Sequence, residues 1–81
     1  MMDSMFTVYS KVNCSYCEAI EKLFKLKGIE YTKRTLNIDF TRDEFIEQYG
    51  VTTFPQVLSE SGEHIGGASE TVKYLKTQGL V

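Results

Sequence analysis

The sequence has few cysteines and histidines, the residues that form the disulfides or metal sites of many small proteins. Its 81 residues include two cysteines, one proline, one histidine and no tryptophan. Small secreted domains built on disulfides carry four, six or eight cysteines, so two cysteines exclude that class. A closed zinc site needs four ligands, and two thiols with one imidazole do not supply them. The apolar runs are too short to cross a membrane.

Neither sign of charge predominates in the sequence. Nine Lys and Arg stand against eleven Asp and Glu, which gives a formal net charge of −2. Without a basic run the chain lacks the phosphate-neutralising surface on which nucleic-acid affinity rests, so we expect no nucleic-acid partner. The 42% hydrophobic and 25% charged residues are typical of a globular protein. A chain this short predicts one domain over residues 1–81, with residues 1–4 frayed.

The N-terminal residues have neither the basic region nor the long apolar region of a signal peptide. Together with the low cysteine count, this predicts a cytoplasmic protein. In a reducing compartment, two closely spaced cysteines are redox-active or metal-binding more often than they are structural.

Local patterns predict seven elements in the order β-α-β-α-β-β-α. They are a strand over 6–9, a helix from Cys14 to the stop at Gly28, a strand over 30–36, a helix opening at Thr41, a strand over 56–58, a return strand over 64–65 and a helix opening at Ser69. The expected apolar stripes of the three helices are Tyr16, Ile20, Leu23 and Phe24, then Phe45, Ile46 and Tyr49, then Val72 and Leu75.

The second helix has the clearest start signal. Thr41 as N-cap with Glu44 three residues later forms a capping box. Phe40 before the cap and Phe45 four residues after it have the spacing of a hydrophobic staple. Gly50 is the expected end of the helix.

This order of elements predicts one mixed four-stranded sheet flanked by three helices. The first β-α-β unit should be a parallel crossover, and the last two strands an antiparallel hairpin. Open α/β sheets bind ligands beyond the carboxyl ends of their parallel strands. Cys14 lies at that edge, after the first strand and at the start of the first helix.

The stretch Cys14-Ser15-Tyr16-Cys17 predicts a redox-active dithiol. A cysteine at a helix N-terminus meets unpaired N–H groups and the positive end of the helix dipole, and both favour the thiolate. Cys17 is one turn further on, so its sulfur points back toward Cys14. Cys14 is therefore the expected nucleophile and Cys17 the resolving thiol, with Lys11 as a nearby cation. No metal ligand is assigned.

Other interpretations of these residues remain open at this point. A lone C-x-x-C also occurs in half of a zinc site, and two buried cysteines also occur as apolar filler. Tyr16 is either a surface aromatic or a substrate contact. His64, in the predicted hairpin, is given no catalytic role.

Three motifs, in order and with matching spacing, resemble the glutaredoxin family. They are Cys14-Ser15-Tyr16-Cys17 after the first strand, Thr53-Phe54-Pro55 before the third, and Gly66-Gly67 before the last helix. The resemblance runs from Phe6 to the end of the chain. It implies a thioredoxin-like fold and a glutathione-dependent oxidoreductase that reduces protein disulfides and glutathione mixed disulfides.

The same resemblance implies that Pro55 is cis and that the backbone of Phe54 pairs with glutathione. The γ-glutamyl group would lie against the start of the last helix, and two cations would hold the glycyl carboxylate. The glutathione-binding residues implied in this way are Lys11, Tyr16, Arg42, Thr53, Phe54, Pro55, Gly67, Ala68, Ser69 and Glu70.

Three residues depart from the family pattern: Ser15 stands for proline, Phe54 for valine and Ser69 for aspartate. Relatives with serine at the first of these positions include members that hold a 2Fe-2S cluster between two subunits, which here would use Cys14. A cluster carrier or sensor is therefore one alternative, and a redoxin fed by thioredoxin reductase is another. The implied state is a monomer, and ribonucleotide reductase is the usual protein substrate in the family.

Overall fold

The computed structural model describes residues 5–51 and 53–80, so the expected fraying of residues 1–4 lies outside the described residues. Seven elements follow in the predicted order. They are β1 (Phe6–Ser10), α1 (Ser15–Leu26), β2 (Tyr31–Thr35), α2 (Arg42–Tyr49), β3 (Gln56–Leu58), β4 (His64–Gly66) and α3 (Ala68–Thr77). None of the described helices is long and apolar enough to span a membrane.

The four strands form one mixed sheet in the order β2-β1-β3-β4. β1 pairs parallel with β2, from Phe6 opposite Tyr31 to Ser10 opposite Thr35. β3 runs antiparallel to β1, and β4 returns antiparallel to β3 as the predicted hairpin. The parallel crossover and the hairpin expected from the sequence are therefore confirmed.

The two faces of the sheet follow from the alternation of side chains along β1. Phe6, Val8 and Ser10 are buried on one face, whereas Thr7 and Tyr9 on the other are only partly covered. The first face carries the main core between the sheet and helices α1 and α3. Its fully buried members are Phe6, Val8, Ile20, Phe24, Val57 and Leu75.

The second face carries α2 and is built from aromatic rings, which we call the aromatic cluster: Tyr9, Phe40, Phe45, Tyr49 and Phe54. Tyr9 lies at its centre, with ring centroids 5.0 Å from both Phe40 and Phe45. Such separations are those of favourable aromatic pairs. The three helices therefore divide between the two faces, as expected.

The signals at both ends of α2 are confirmed. The Thr41 hydroxyl accepts from the Glu44 N–H at 3.2 Å, and the Glu44 carboxylate accepts from the Thr41 N–H at 2.9 Å. The staple pair, Phe40 and Phe45, have ring centroids 5.3 Å apart. Gly50 ends the helix at φ 76°, a conformation that glycine adopts without a steric penalty.

The predicted start of α3 is wrong by two residues. Its N-cap is Gly67 rather than Ser69, which lies inside the first turn. Glycine has no side chain to cap a helix, so the Glu70 carboxylate reaches back and accepts from the Gly67 N–H at 3.1 Å. Gly66 must leave room for this, because a Cβ there would lie 3.0 Å from the Glu70 side chain.

Most residues of the predicted apolar stripes are buried or partly buried, but some are exposed. Tyr16 is 70% exposed and Ile46 is 40% exposed, so neither belongs to the core. Cys17 takes the buried place expected for Tyr16 on α1. On α3 the fully buried residues are Leu75, as expected, and Thr71.

Candidate functional site

The candidate site begins where β1 ends and α1 starts. Asn13 has a positive φ of 57°, a conformation that asparagine tolerates better than most residues, and it turns the chain into the helix. Cys14 then takes the N-cap position, with its sulfur accepting from the Cys17 N–H at 3.2 Å. The sulfur therefore occupies the place of a capping oxygen, where a negative charge is stabilised.

Cys14 and Cys17 form a disulfide, with their Cα atoms 5.3 Å apart. Cys14 is 7% exposed and Cys17 is 1% exposed. An incoming thiolate therefore reaches the Cys14 sulfur more readily and releases Cys17, as the predicted division between nucleophile and resolving thiol requires. The pairing also removes the filler interpretation, because the two cysteines make a covalent bond rather than separate apolar contacts.

The loop before β3 borders the disulfide. The Phe54–Pro55 peptide bond is cis, as the resemblance implied. The Phe54 carbonyl oxygen lies 3.8 Å from the Cys14 sulfur. The backbone of Phe54 is thus next to the sulfur at which exchange would occur, where an extended peptide could pair with it.

Gln56, which sequence analysis missed, holds the loop before β3 in place through hydrogen bonds. Its side-chain amide donates to the Thr53 carbonyl at 2.9 Å and to the Thr53 hydroxyl at 3.2 Å. Its oxygen lies 2.7 Å from His64 Nε2. His64 therefore belongs to the hydrogen-bond network that supports this loop. The contact between Gln56 and His64 spans eight residues of chain, so no local sequence pattern signals it.

A shallow groove of about 290 Å³ brings together eight of the ten residues implied for glutathione binding, and adds Gln56. Its lining is Tyr16, Thr53, Phe54, Pro55, Gln56, Gly67, Ala68, Ser69 and Glu70. The groove joins the exposed start of α1, the cis-proline loop and the first turn of α3. The motifs that are far apart in sequence therefore meet on one surface.

The two cations implied for the same ligand are not part of this lining. Lys11 lies in the exposed loop after β1, and Arg42 is the exposed first residue of α2. Both residues are exposed to solvent. Their proposed role at the glycyl carboxylate stays a prediction.

The aromatic cluster reaches the site through Phe54. The Phe54 ring lies 5.1 Å from Phe45 and 5.9 Å from Phe40, centroid to centroid. At the far end of the cluster, burial first and the Tyr9 hydroxyl second raise the pKa of Tyr49 to about 12. Phe54, which stands where the resembled family has valine, thus connects the cis-proline loop to α2 through ring contacts.

A cluster shared between two copies would take one thiolate from each, and Cys14 fits that role by its position at the helix start. Its sulfur is available only after the bond to Cys17 is reduced. Within residues 5–51 and 53–80, no three His, Cys, Asp or Glu side chains come together as metal ligands.

Comparison with known proteins gives a consistent result. The Glutaredoxin family model matches residues 6–65. Glutaredoxin 3 of Escherichia coli K12 is 31% identical over 64 residues, which span 78% of this chain and 76% of the relative. Human mitochondrial glutaredoxin-2 is 30% identical over 73 residues, 85% of this chain and 44% of the relative.

Among solved structures, a buckwheat glutaredoxin–glutathione complex superposes with a TM-score of 0.78 at 29% identity, covering 93% of this chain and 71% of that one. A wheat glutaredoxin gives 0.77 at 28% identity, covering 93% and 76%.

Proposed function

Because this chain belongs to the glutaredoxin family and is therefore a thiol-disulfide oxidoreductase, we propose that glutathione supplies its electrons. Its substrates are protein disulfides and glutathione mixed disulfides. The observation that carries this proposal is the Cys14–Cys17 disulfide at the start of α1, next to the backbone of Phe54. The buckwheat neighbour with a similar fold binds glutathione.

Reduction of a protein disulfide starts from the dithiol. The Cys14 thiolate attacks one substrate sulfur, forms a mixed disulfide and releases the other substrate sulfur as a thiolate. Cys17 loses its proton and attacks the Cys14 sulfur, which releases the second substrate thiolate. The product is the Cys14–Cys17 disulfide observed in the structure. Two electrons have passed from the dithiol to the substrate.

Two glutathione molecules restore the dithiol. The thiolate of the first attacks the Cys14 sulfur and releases Cys17, which takes up a proton. The thiolate of the second attacks the glutathione sulfur of this mixed disulfide, so that Cys14 leaves as a thiolate and oxidised glutathione forms. For a glutathione mixed disulfide as substrate, the Cys14 thiolate attacks the glutathione sulfur and releases the substrate thiolate. The second of the exchanges above then restores Cys14, so Cys17 is not needed.

The groove supplies the binding surface in this proposal. Glutathione is an extended tripeptide, so its backbone would pair with that of Phe54 while its sulfur meets Cys14. Its γ-glutamyl carboxylate would lie at the N-terminus of α3, against the N–H groups of Ala68 and Ser69. Lys11 and Arg42 would approach the glycyl carboxylate from solvent.

The remaining features of the proposal follow the family. The protein works as a monomer in the cytoplasm, and ribonucleotide reductase is one candidate among its protein substrates. A redoxin fed by thioredoxin reductase is the competing function, and the groove beside the disulfide is the feature that favours glutathione over it.

The test is a comparison of Cys14→Ser and Cys17→Ser in two assays with glutathione as the reductant. Cys17→Ser should still exchange glutathione with a small mixed disulfide and should lose reduction of a protein disulfide, because only the second reaction needs the resolving thiol. Cys14→Ser should lose both activities. Exposed Ser15→Ala is the matched control and should keep both.

Equal loss of both activities in the two cysteine variants would contradict the assigned roles and favour a metal-binding unit. Wild-type protein that reduces disulfides with thioredoxin reductase and not with glutathione would establish the competing function instead. Brown colour in freshly purified protein, lost together with a dimer, would indicate the cluster carrier.

A further inference from the structure

The side-chain amide of Gln56 has hydrogen-bond partners on both its nitrogen and its oxygen. Gln56 is 5% exposed, and its Nε2 donates to the Thr53 carbonyl at 2.9 Å and to the Thr53 hydroxyl at 3.2 Å. A carbonyl oxygen only accepts hydrogen bonds, so the nitrogen and not the oxygen of the amide must face Thr53. The orientation of the Gln56 amide therefore follows from its partners.

This orientation determines which ring nitrogen of His64 carries the proton. The Oε1 atom of Gln56 lies 2.7 Å from His64 Nε2, which is a hydrogen-bond distance. The amide oxygen has no proton to donate, so Nε2 must be the donor. In the neutral imidazole the proton is therefore on Nε2, and Nδ1 is the unprotonated nitrogen.

The Thr53 carbonyl belongs to the same peptide unit as the Phe54 N–H. A peptide unit is planar, and in its trans form the C=O and the N–H point in opposite directions. The cis bond lies one residue later, between Phe54 and Pro55. Because Gln56 holds the Thr53 carbonyl, the Phe54 N–H is turned away from the Gln56 side chain. That N–H is part of the backbone with which glutathione is proposed to pair.

We propose that His64 is a positioning residue for glutathione, because its Nε2–H fixes the Gln56 amide and, through that amide, the direction of the Phe54 N–H. The inference rests on the proposed function in that glutathione is the ligand that pairs with this loop. Without the Nε2 proton, the Gln56 oxygen loses its partner and the amide can rotate away from Thr53. The Phe54 N–H then loses its fixed direction, and glutathione binds less tightly.

A second contact of His64 has to be separated from this hydrogen bond. The His64 ring centroid lies 5.1 Å from that of Tyr49, at the end of α2. His64→Phe keeps a ring against Tyr49 but has no donor, whereas His64→Gln keeps an N–H donor but has no ring. His64 is exposed, so both variants should fold. The pair of variants therefore distinguishes the proton from the ring.

The first measurement is heteronuclear NMR of the imidazole nitrogens in the oxidised full chain at about pH 8, where imidazole is neutral. The protonated ring nitrogen resonates far upfield of the unprotonated one, so the spectrum identifies the tautomer without any glutathione present. We expect the proton on Nε2. A proton on Nδ1 would overturn the proposal, since the contact with Gln56 would then contain no hydrogen.

The second measurement is hydrogen exchange of the Gln56 side-chain amide protons, which also needs no glutathione. His64→Phe should speed this exchange by about threefold or more, because the amide loses the partner that fixes its rotation. His64→Gln should stay within about twofold of the wild-type rate, since it still donates to the Gln56 oxygen.

The third measurement is the steady-state kinetics of glutathione with a small mixed disulfide. His64→Phe should raise the KM for glutathione about threefold to fivefold with kcat nearly unchanged, because it weakens binding and not the exchange chemistry. His64→Gln should stay within about twofold of wild type. Glu63→Gln is the matched control in the same hairpin and should keep the wild-type KM. The Glu63 backbone N–H and carbonyl bond to Ser59, so removal of the side-chain charge leaves these contacts intact.

A His64→Phe protein with the wild-type KM and exchange rate would overturn the proposal. A His64→Gln protein with a raised KM beside a normal His64→Phe protein would also overturn it and assign the effect to the ring contact with Tyr49. Wild-type protein that does not turn over glutathione would refute the proposed function instead. The tautomer and the exchange rates would still decide the role of His64, so the two proposals fail separately.

Discussion

The sheet packs against α1 and α3 on one face and against α2 on the other, and the two faces differ in both chemistry and burial. On the core face Val8, Val57 and Leu75 are aliphatic and have no exposed surface. On the opposite face Phe45 is buried, but the other members of the aromatic cluster, Tyr9, Phe40, Tyr49 and Phe54, are only partly covered.

A cavity of about 450 Å³ also opens on the aromatic face, beside Tyr9, Arg34 and α2. It is larger than the groove beside the disulfide, yet it is lined by none of the residues near the sulfurs. We interpret this cavity as space left between the sheet and α2, because rings rather than aliphatic side chains fill that interface. The core face thus holds the fully buried interior of the protein, while the aromatic face packs Phe54 against α2, the helix that begins at Arg42.

The largest expected contrast is in stability. Leu75→Ala empties a fully buried site of the core face and should lower the free energy of unfolding by about 3 kcal/mol. Phe40→Ala removes a half-buried ring and should cost about 1 to 2 kcal/mol, since water already meets part of its surface. Urea unfolding of the oxidised proteins measures both. Equal losses would mean that the two faces contribute alike.

A smaller contrast is expected in glutathione kinetics. Lys11→Ala and Arg42→Ala should each raise the KM for glutathione about fivefold, with less effect on kcat, and the change should shrink as salt rises. Phe40→Ala should raise KM as well, because it weakens the packing of α2 on the sheet. Leu75→Ala should leave KM unchanged in whatever fraction is folded.

Wild-type KM at low salt in both cation variants would show that the glycyl carboxylate is held elsewhere. A raised KM in Leu75→Ala at a temperature where the protein is fully folded would remove the separation between the faces.

The smallest effect is expected at alkaline pH. The pKa of Tyr49 on the aromatic face is raised to about 12, and burial together with the Glu21 carboxylate raises the pKa of Tyr31 on the core face. In the unfolded chain tyrosine loses its proton near pH 10, so above that pH the unfolded state binds fewer protons than the folded state. Stability should be complete below about pH 10 and should fall as the pH rises toward 12.

Unfolding in urea between pH 9 and 11, with Tyr49→Phe and Tyr31→Phe as single variants, divides this slope between the faces. Each variant should flatten part of the fall. A Tyr49→Phe protein with the full wild-type slope would show that the aromatic face does not shield its phenol.

The order of elements, the parallel crossover, the hairpin and the cysteine pair were predictable because their signals are local and strong, whereas the strand order β2-β1-β3-β4 rests on the long-range pairing of β1 with β3. The capping box at Thr41 and Glu44 defines α2, and the position of Cys14 after β1 places the thiols at the ligand edge of the sheet. Gly50 ends α2 and Pro55 directly precedes β3, and each position follows from the backbone preference of its residue.

The parts that sequence analysis missed depend on contacts between distant residues. Ser69 is a good N-cap residue, so the pattern favoured it, but the cap is made by Glu70 reaching back to Gly67. The supporting role of Gln56 depends on its side chain contacting Thr53 in the loop before β3 and His64 in the neighbouring strand β4 at the same time.

The carboxylate of Glu70 lies at the N-terminus of α3, where the γ-glutamyl carboxylate of glutathione is proposed to bind. It already satisfies the Gly67 N–H at the end of α3 where a γ-glutamyl carboxylate would arrive. The γ-glutamyl carboxylate would therefore approach a helix end that already holds the negative charge of Glu70. The affinity for glutathione would then depend on two carboxylates attracted to the same helix end, with Glu70 on the Gly67 N–H and the ligand on those of Ala68 and Ser69.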